Sequence, residues 1–138
     1  MGGGHYAAHS PEEDAAWRHG YRQWLERVLL REDQRIHVAA CGAATALRAC
    51  AIAVIDDRAP TAHCLTGQVG WVQTVVVDPA SRRQGLGVRV MAYVLDWLRV
   101  RGVQQVALQT TTDGAGLYRN LGFRPTGEDL LTLDLRGV

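Results

Sequence analysis

The sequence predicts an α/β domain: a mixed, largely antiparallel sheet flanked by helices, with a central strand–loop–helix–strand unit. Three observations carry that expectation. A capped helix signal stands at Ser10, and β-branched runs with strand character follow it. The strongest of these runs, Val69–Val77, then feeds a glycine-bearing loop that opens a second amphipathic helix. The chain of 138 residues fits one domain over 1–138, with residues 1–9 expected to be flexible, and its 47% hydrophobic share is ample for one core.

Ser10-Pro11-Glu12-Glu13 has the form of a capping box, in which Ser10 accepts from the Glu13 amide and Glu13 reaches back. Pro11 then takes the first helical position, where its missing N–H costs nothing. Apolar residues recur at Trp17, Tyr21, Trp24, Leu25, Val28 and Leu29, which predicts a helix over 11–31. Ile36–Cys41 and Leu47–Ile55, separated by Gly42-Ala43-Ala44-Thr45, read as an antiparallel hairpin. The stretch 56–68 reads as a loop. Val69–Val77 is β-branched and bounded by Gly67 and Asp78-Pro79. A helix is expected over Val88–Val100, with Val88, Met91, Leu95 and Leu98 on one face. A strand over Val103–Thr110, a short helix over Asp113–Leu121 stopped by Gly122, and a last strand over Leu130–Leu135 complete the series.

Composition excludes several classes. A net charge of +1 advertises neither a nucleic-acid face nor a polybasic membrane patch. No apolar stretch approaches the roughly 18–20 residues of a spanning helix. The opening MGGGHYAAHS lacks the charged and apolar regions of a signal peptide, and Tyr6 stands where a myristoylation motif wants Ser or Thr. Cys41, Cys50 and Cys64 form no C-x-x-C pair, so packed reduced thiols and a cytoplasmic location are expected. None of the five histidines falls at a ligand spacing with these cysteines, and no metal is expected. Glu12, Glu13 and Asp14 read as partners of the helix dipole.

The chemistry centres on 78–88, DPASRRQGLGV. A strand ends, a loop of small and basic residues follows, and a helix starts directly after Gly85-Leu86-Gly87. Free amides at a helix start favour an anion, glycines let a backbone approach it, and Arg82 and Arg83 pair with phosphate oxygens. The alternative is a solvated turn. A dinucleotide-binding fingerprint fails because Val90 stands where its third glycine belongs, and a P-loop fails because the chain contains no lysine.

Arg82-Arg83-Gln84-Gly85-Leu86-Gly87 follows the strand end Val75, Val77, Pro79, and Leu117-Tyr118-Arg119-Asn120-Leu121-Gly122-Phe123 comes later. In these segments the sequence resembles the GNAT superfamily of acyl-CoA-dependent N-acyltransferases, whose diphosphate motif is Arg/Gln-x-x-Gly-x-Gly/Ala. The resemblance covers about residues 69–135. It implies a GNAT-like fold in which the strand before the loop splays from the strand after the helix. Acetyl-CoA, as co-substrate, would place its pantetheine arm in that gap, against the backbone of Val75, Val76 and Val77. Its diphosphate would lie over the loop and helix start, at Arg82, Arg83, Gln84, Gly85, Leu86, Gly87 and Val88. Tyr118 matches the tyrosine that commonly protonates the departing thiolate. The implied activity is N-acetyl transfer to a primary amine, on a small molecule or a protein, by direct attack in a ternary complex. A catalytically silent acyl-CoA-binding module is the alternative.

The departures are specific. Relatives commonly carry an asparagine seven residues before the tyrosine and an alanine four before it, where this chain has Thr111 and Gly114. The usual glutamate on the strand before the loop is replaced by the stretch Gln73-Thr74, which leaves the general base unassigned among His63, Asp56, Asp57 and bulk water. The family's first strand is expected to be missing ahead of Ser10. That loss would leave a sheet edge open to another chain, and a homodimer is one expected assembly. Trp17 and Trp24 read as packing, although the first helix of the family usually walls the acceptor site.

Overall fold

A computed structural model describes residues 10–31, 35–43 and 46–136. The flexibility expected of residues 1–9 and part of the hairpin turn lie outside that range. Helix α1 spans Pro11–Arg31. Its start is built as the sequence dictates: Ser10 Oγ accepts from the Glu13 amide at 3.1 Å, and the Ser10 carbonyl takes the Asp14 amide at 2.9 Å. The face it buries is narrower than expected. Val28 is buried and Tyr21, Trp24 and Leu25 are partly covered, whereas Trp17 and Leu29 are 43% and 64% exposed. Trp17 turns along its own helix instead, edge-on to Tyr21 with Arg18 over its ring, and its indole N–H donates to Asp14.

Strands β1 (Ile36–Ala43), β2 (Ala46–Asp57) and β3 (Gln68–Val77) pair antiparallel in sequence order. Helix α2 (Leu86–Val100) crosses over to β4 (Gln105–Leu108), which lies parallel to β3, and helix α3 (Ala115–Asn120) follows. Among the described residues the sheet order is β1-β2-β3-β4. The core lies between this sheet and α2. Leu86, Val90, Met91, Val94 and Leu98 are buried against Ala39, Ala49, Ala51, Ala53, Ile55 and Val72. The alternating alanines of β2 are the reason its strand character looks weak, and they let the α2 side chains reach the sheet. Ile52 points to the opposite face and is also fully buried.

The expected last strand, Leu130–Leu135, does not form. The segment has no ladder partner among the described residues, and Leu130, Leu131, Leu133 and Leu135 are all exposed, Leu131 to 88%. Alternating leucines supply a face, but a strand also needs a backbone to pair with. Near its end Arg136 bonds Asp134 through its amide at 2.9 Å and its guanidinium at 3.0 and 2.9 Å. Among the described residues no helix is long and apolar enough to cross a membrane.

Candidate active site

The parallel pairing of β3 with β4 is short. Val69, Gly70, Trp71 and Val72 face Gln105, Val106, Ala107 and Leu108, and there it stops. On the other side β3 stays paired with β2 as far as Val77, across a register shift in which Ala53 faces Val72 but Ile52 faces Thr74. Gln73 is therefore the extra residue of a bulge. Bulges bend the strand and increase its twist, and this one sits where β3 leaves β4. The backbone beyond it is left open on the β4 side. The Asp78 amide donates to the Arg48 carbonyl at 2.7 Å, which makes Val77 and Ala49 a non-hydrogen-bonded pair. By alternation Val76 bonds toward β2, while the N–H and C=O groups of Val75 and Val77 face the gap. Their side chains pack against the core on the α2 side.

The loop after β3 is tightly built. Asp78 caps a 3-10 turn, Pro79–Ser81, by accepting from the Ala80 amide at 3.4 Å, and Ser81 is 5% exposed. Arg83 and Gly85 both take left-handed conformations, with φ of 67° and 72°. Gly85 is the N-cap of α2 and offers no side-chain cap, so the first amides of that helix are not taken up by a capping group. Arg82, Arg83, Gln84 and Gly85 are exposed, as is Val88, whereas the Leu86 side chain goes into the core and leaves only its backbone available. Gly87 has a packing reason of its own. A Cβ there would stand 3.1 Å from Leu117 Cδ2 and 3.7 Å from Val77 Cγ2, so its absence lets α2, β3 and α3 meet. The Gln84 amide oxygen is engaged by the Arg48 guanidinium, whose Nε also donates to Ser81 Oγ at 3.1 Å. Sequence reading missed Arg48, because it lies in a different strand with no motif around it.

Tyr118 lies on α3, half-buried in the cluster that includes Val75, Val77 and Leu108. Its ring meets Phe123 edge-on at 6.0 Å, and the Phe123 amide donates to its carbonyl at 3.0 Å. Burial pushes its phenol above the ordinary tyrosine value, so it keeps its proton at neutral pH. The departures nearby have local roles. Thr111 Oγ1 accepts from the Gly114 amide at 3.3 Å. A Cβ on Gly114 would stand 2.8 Å from Thr110 Oγ1, which explains glycine where relatives carry alanine.

Across the sheet, Tyr21 of α1 lies near enough to Thr74, one residue past the bulge, for the two side chains to interact, and burial raises its phenol in the same direction. Tyr21 thus reaches the rim of the gap. Its helical period had marked it only for packing. The candidate bases do not. Asp56 and Asp57 pair with Val69 and Gln68, at the opposite end of β3, roughly 20 Å along the strand from Val75. Asp56 is held by Arg58 at 3.0 Å, and Asp57 by Gln68 at 2.6 Å and Arg35 at 3.7 Å. His63 lies in the loop at that same far end. Among the described residues no cluster of His, Cys, Asp and Glu could hold a metal ion.

This architecture is that of known acetyltransferases. A predicted acetyltransferase of Clostridium acetobutylicum solved with acetyl-CoA matches it with a TM-score of 0.74 at 19% identity, covering 94% of this chain and 79% of that one. The chain belongs to the Acetyltransferase (GNAT) family, whose model matches residues 5–123. It is 39% identical over 103 residues to glucosamine 6-phosphate N-acetyltransferase 1 of Oryza sativa subsp. japonica, covering 75% of this chain and 61% of that protein. It is 40% identical over 57 residues to the N-alpha-acetyltransferase RimI of Mycobacterium tuberculosis, covering 41% of this chain and 35% of that one. The chain thus spans about three fifths of the rice relative's length.

Proposed function

We propose that the chain transfers the acetyl group of acetyl-CoA to a primary amine by direct attack in a ternary complex. The observation that carries this is the gap: the backbone groups of Val75 and Val77 face it unpaired, and the open α2 start lies just beyond. The amides of a pantetheine arm would complete the ladder that β4 leaves unfinished. The diphosphate would rest on the amides from Arg83 to Val88, with Arg82 and Arg83 supplying charge. A neutral amine attacks the thioester carbonyl and forms the N–C bond, and backbone amides hold the oxyanion. Collapse breaks the C–S bond, giving the acetamide and the CoA thiolate, and the amine's proton ends on that sulfur.

Tyr118 would serve as the donor to the departing sulfur. Burial pushes its phenol up from the ordinary tyrosine value, which already lies above the roughly 8.5 of a thiol. Full proton transfer from the phenol to the thiolate is therefore uphill, and the helpful act is a hydrogen bond to the developing charge. The aspartates of β2 stand at the wrong end of β3, so the alkylammonium loses its proton to water.

The acceptor is proposed to be an amine on a small molecule or a protein. Glucosamine 6-phosphate leads the candidates, because the longest aligned relative named above is an N-acetyltransferase for it. Free thiols at Cys41, Cys50 and Cys64 support a cytoplasmic location. A homodimer is supported by β1 and β4 being the outer strands among the described residues and by the exposed leucines Leu130, Leu131, Leu133 and Leu135. The test is release of free CoA thiol with glucosamine 6-phosphate, a peptide amine and a mixed amine panel. Turnover on any of them supports the proposal. Binding of CoA with no turnover supports the silent module, for which Gln73-Thr74 in place of the usual glutamate and Thr111 in place of the usual asparagine are the favouring observations.

A further inference from the structure

The loop between β3 and α2 carries few contacts of its own past its first turn. The Ser81 amide bonds the Asp78 carbonyl at 2.8 Å and the Arg82 amide reaches Pro79 at 3.5 Å. Beyond these, Arg83 and Gly85 stand in left-handed conformations on an exposed stretch. A loop held only in this way would sample many shapes, and ordering it would fall to the ligand. One residue outside the loop spans it from end to end. Arg48 of β2 accepts the Asp78 amide with its carbonyl at 2.7 Å, donates from Nε to the buried Ser81 hydroxyl at 3.1 Å, and meets Gln84 Oε1 through Nη2. These contacts fall at the start, middle and far end of the loop, the last of them at Gln84 between its two left-handed residues, and they tie the loop to a paired strand.

We propose that Arg48 is a positioning residue for the diphosphate of the cofactor. It holds the loop in its ligand-ready shape through Ser81 and Gln84, and it adds a fixed cation beside Arg82, Arg83 and the α2 start. The inference rests on the reading of 83–88 as the diphosphate site. It goes beyond that reading by giving the loop's shape a cause in β2, outside the motif.

The test compares Arg48→Met, which keeps the aliphatic stem, with the unaltered chain. Two thioesters are used: acetyl-CoA, and acetyl-pantetheine, which has the same reacting arm and no diphosphate. A lost charged hydrogen bond of this kind corresponds to a fall of about tenfold in kcat/KM for acetyl-CoA, carried by KM, against less than about twofold for acetyl-pantetheine. Equal falls on both thioesters would mean a general structural role and would overturn the proposal, as would no fall on either. Gln84→Ala, an exposed change that leaves Arg48 in place, should give a smaller loss with the same dependence on the diphosphate. The double variant should lose no more than Arg48→Met alone, since both act through one contact. Strictly additive losses would overturn the bracing route. Titration of the unaltered chain with CoA keeps the two levels apart: no binding there defeats the diphosphate site itself, whereas binding that Arg48→Met leaves untouched defeats only the role of Arg48.

Discussion

Replacing Tyr118 with phenylalanine separates chemistry from packing at the site. The substitution keeps the ring, its edge-on contact with Phe123 and its place among Val75, Val77 and Leu108. Among the described residues no buried side-chain polar atom lacks a partner, and burial alone raises the Tyr118 phenol, so its hydroxyl anchors no fixed network. Loss of the hydroxyl should therefore move the melting temperature little. A hydrogen bond to a charged group contributes about 1.5–3 kcal/mol, which corresponds to a fall of about tenfold to a hundredfold in the rate of the chemical step. The assay is single-turnover consumption of acetyl-CoA by quenched flow at saturating amine, with CoA affinity and a thermal melt measured alongside. The expected result is a slow chemical step, unchanged affinity and an unchanged melt. A full single-turnover rate would refute the role assigned to Tyr118 and leave the developing thiolate to be stabilised by water.

Gly85→Glu should weaken CoA binding by at least about tenfold in isothermal titration. The position is left-handed at φ 72° with open space around it, so the new carboxylate would stand freely at the helix start where phosphate is expected. Asp56→Asn and Asp57→Asn should leave kcat/KM within about twofold of the unaltered chain, because both carboxylates lie at the far end of β3. A larger fall would restore them as bases. Alkaline stability gives a further check. Tyr21 and Tyr118 have raised folded-state pKa values, so the stability of their neutral forms is fully present below pH about 10 and is lost as pH rises through the folded values. Tyr21→Phe should accordingly show a smaller fall in melting temperature above that pH than the unaltered chain.

The parts of the fold governed by local rules were legible in the sequence. Ser10, Pro11 and Glu13 set the start of α1 by capping chemistry alone, and the strand–loop–helix unit from Val69 to Val100 was recognisable from periodicity and glycine placement. What depends on a distant partner was not legible. The bulge at Gln73 exists because β2 and β3 must keep register on both sides of it, and nothing in VGWVQTVVV marks the extra residue. Arg48 stands in an alanine-rich strand with no motif around it, and its contacts come to light only when β2 is laid beside the loop. Leu130–Leu135 has the alternation of a strand and lacks the neighbour that would make it one. Trp17 and Leu29 share the helical period of Val28, but α1 reaches the sheet over a shorter length than its apolar stripe. Gly87 matched a phosphate motif, and its close contact with Leu117 adds a packing reason that spacing could not reveal.

The gap between β3 and β4 can be tested amide by amide. By register, the Val75 and Val77 amides face the gap, while the Val76 amide is already paired with β2. Hydrogen exchange followed by NMR, with and without saturating CoA, reads each of them separately. The account predicts new protection at Val75 and Val77 and at the amides from Arg83 to Val88, with Val76 unchanged. Protection that leaves Val75 and Val77 exchanging freely, or that gathers at the Asp56–Gln68 end of the sheet, would contradict it.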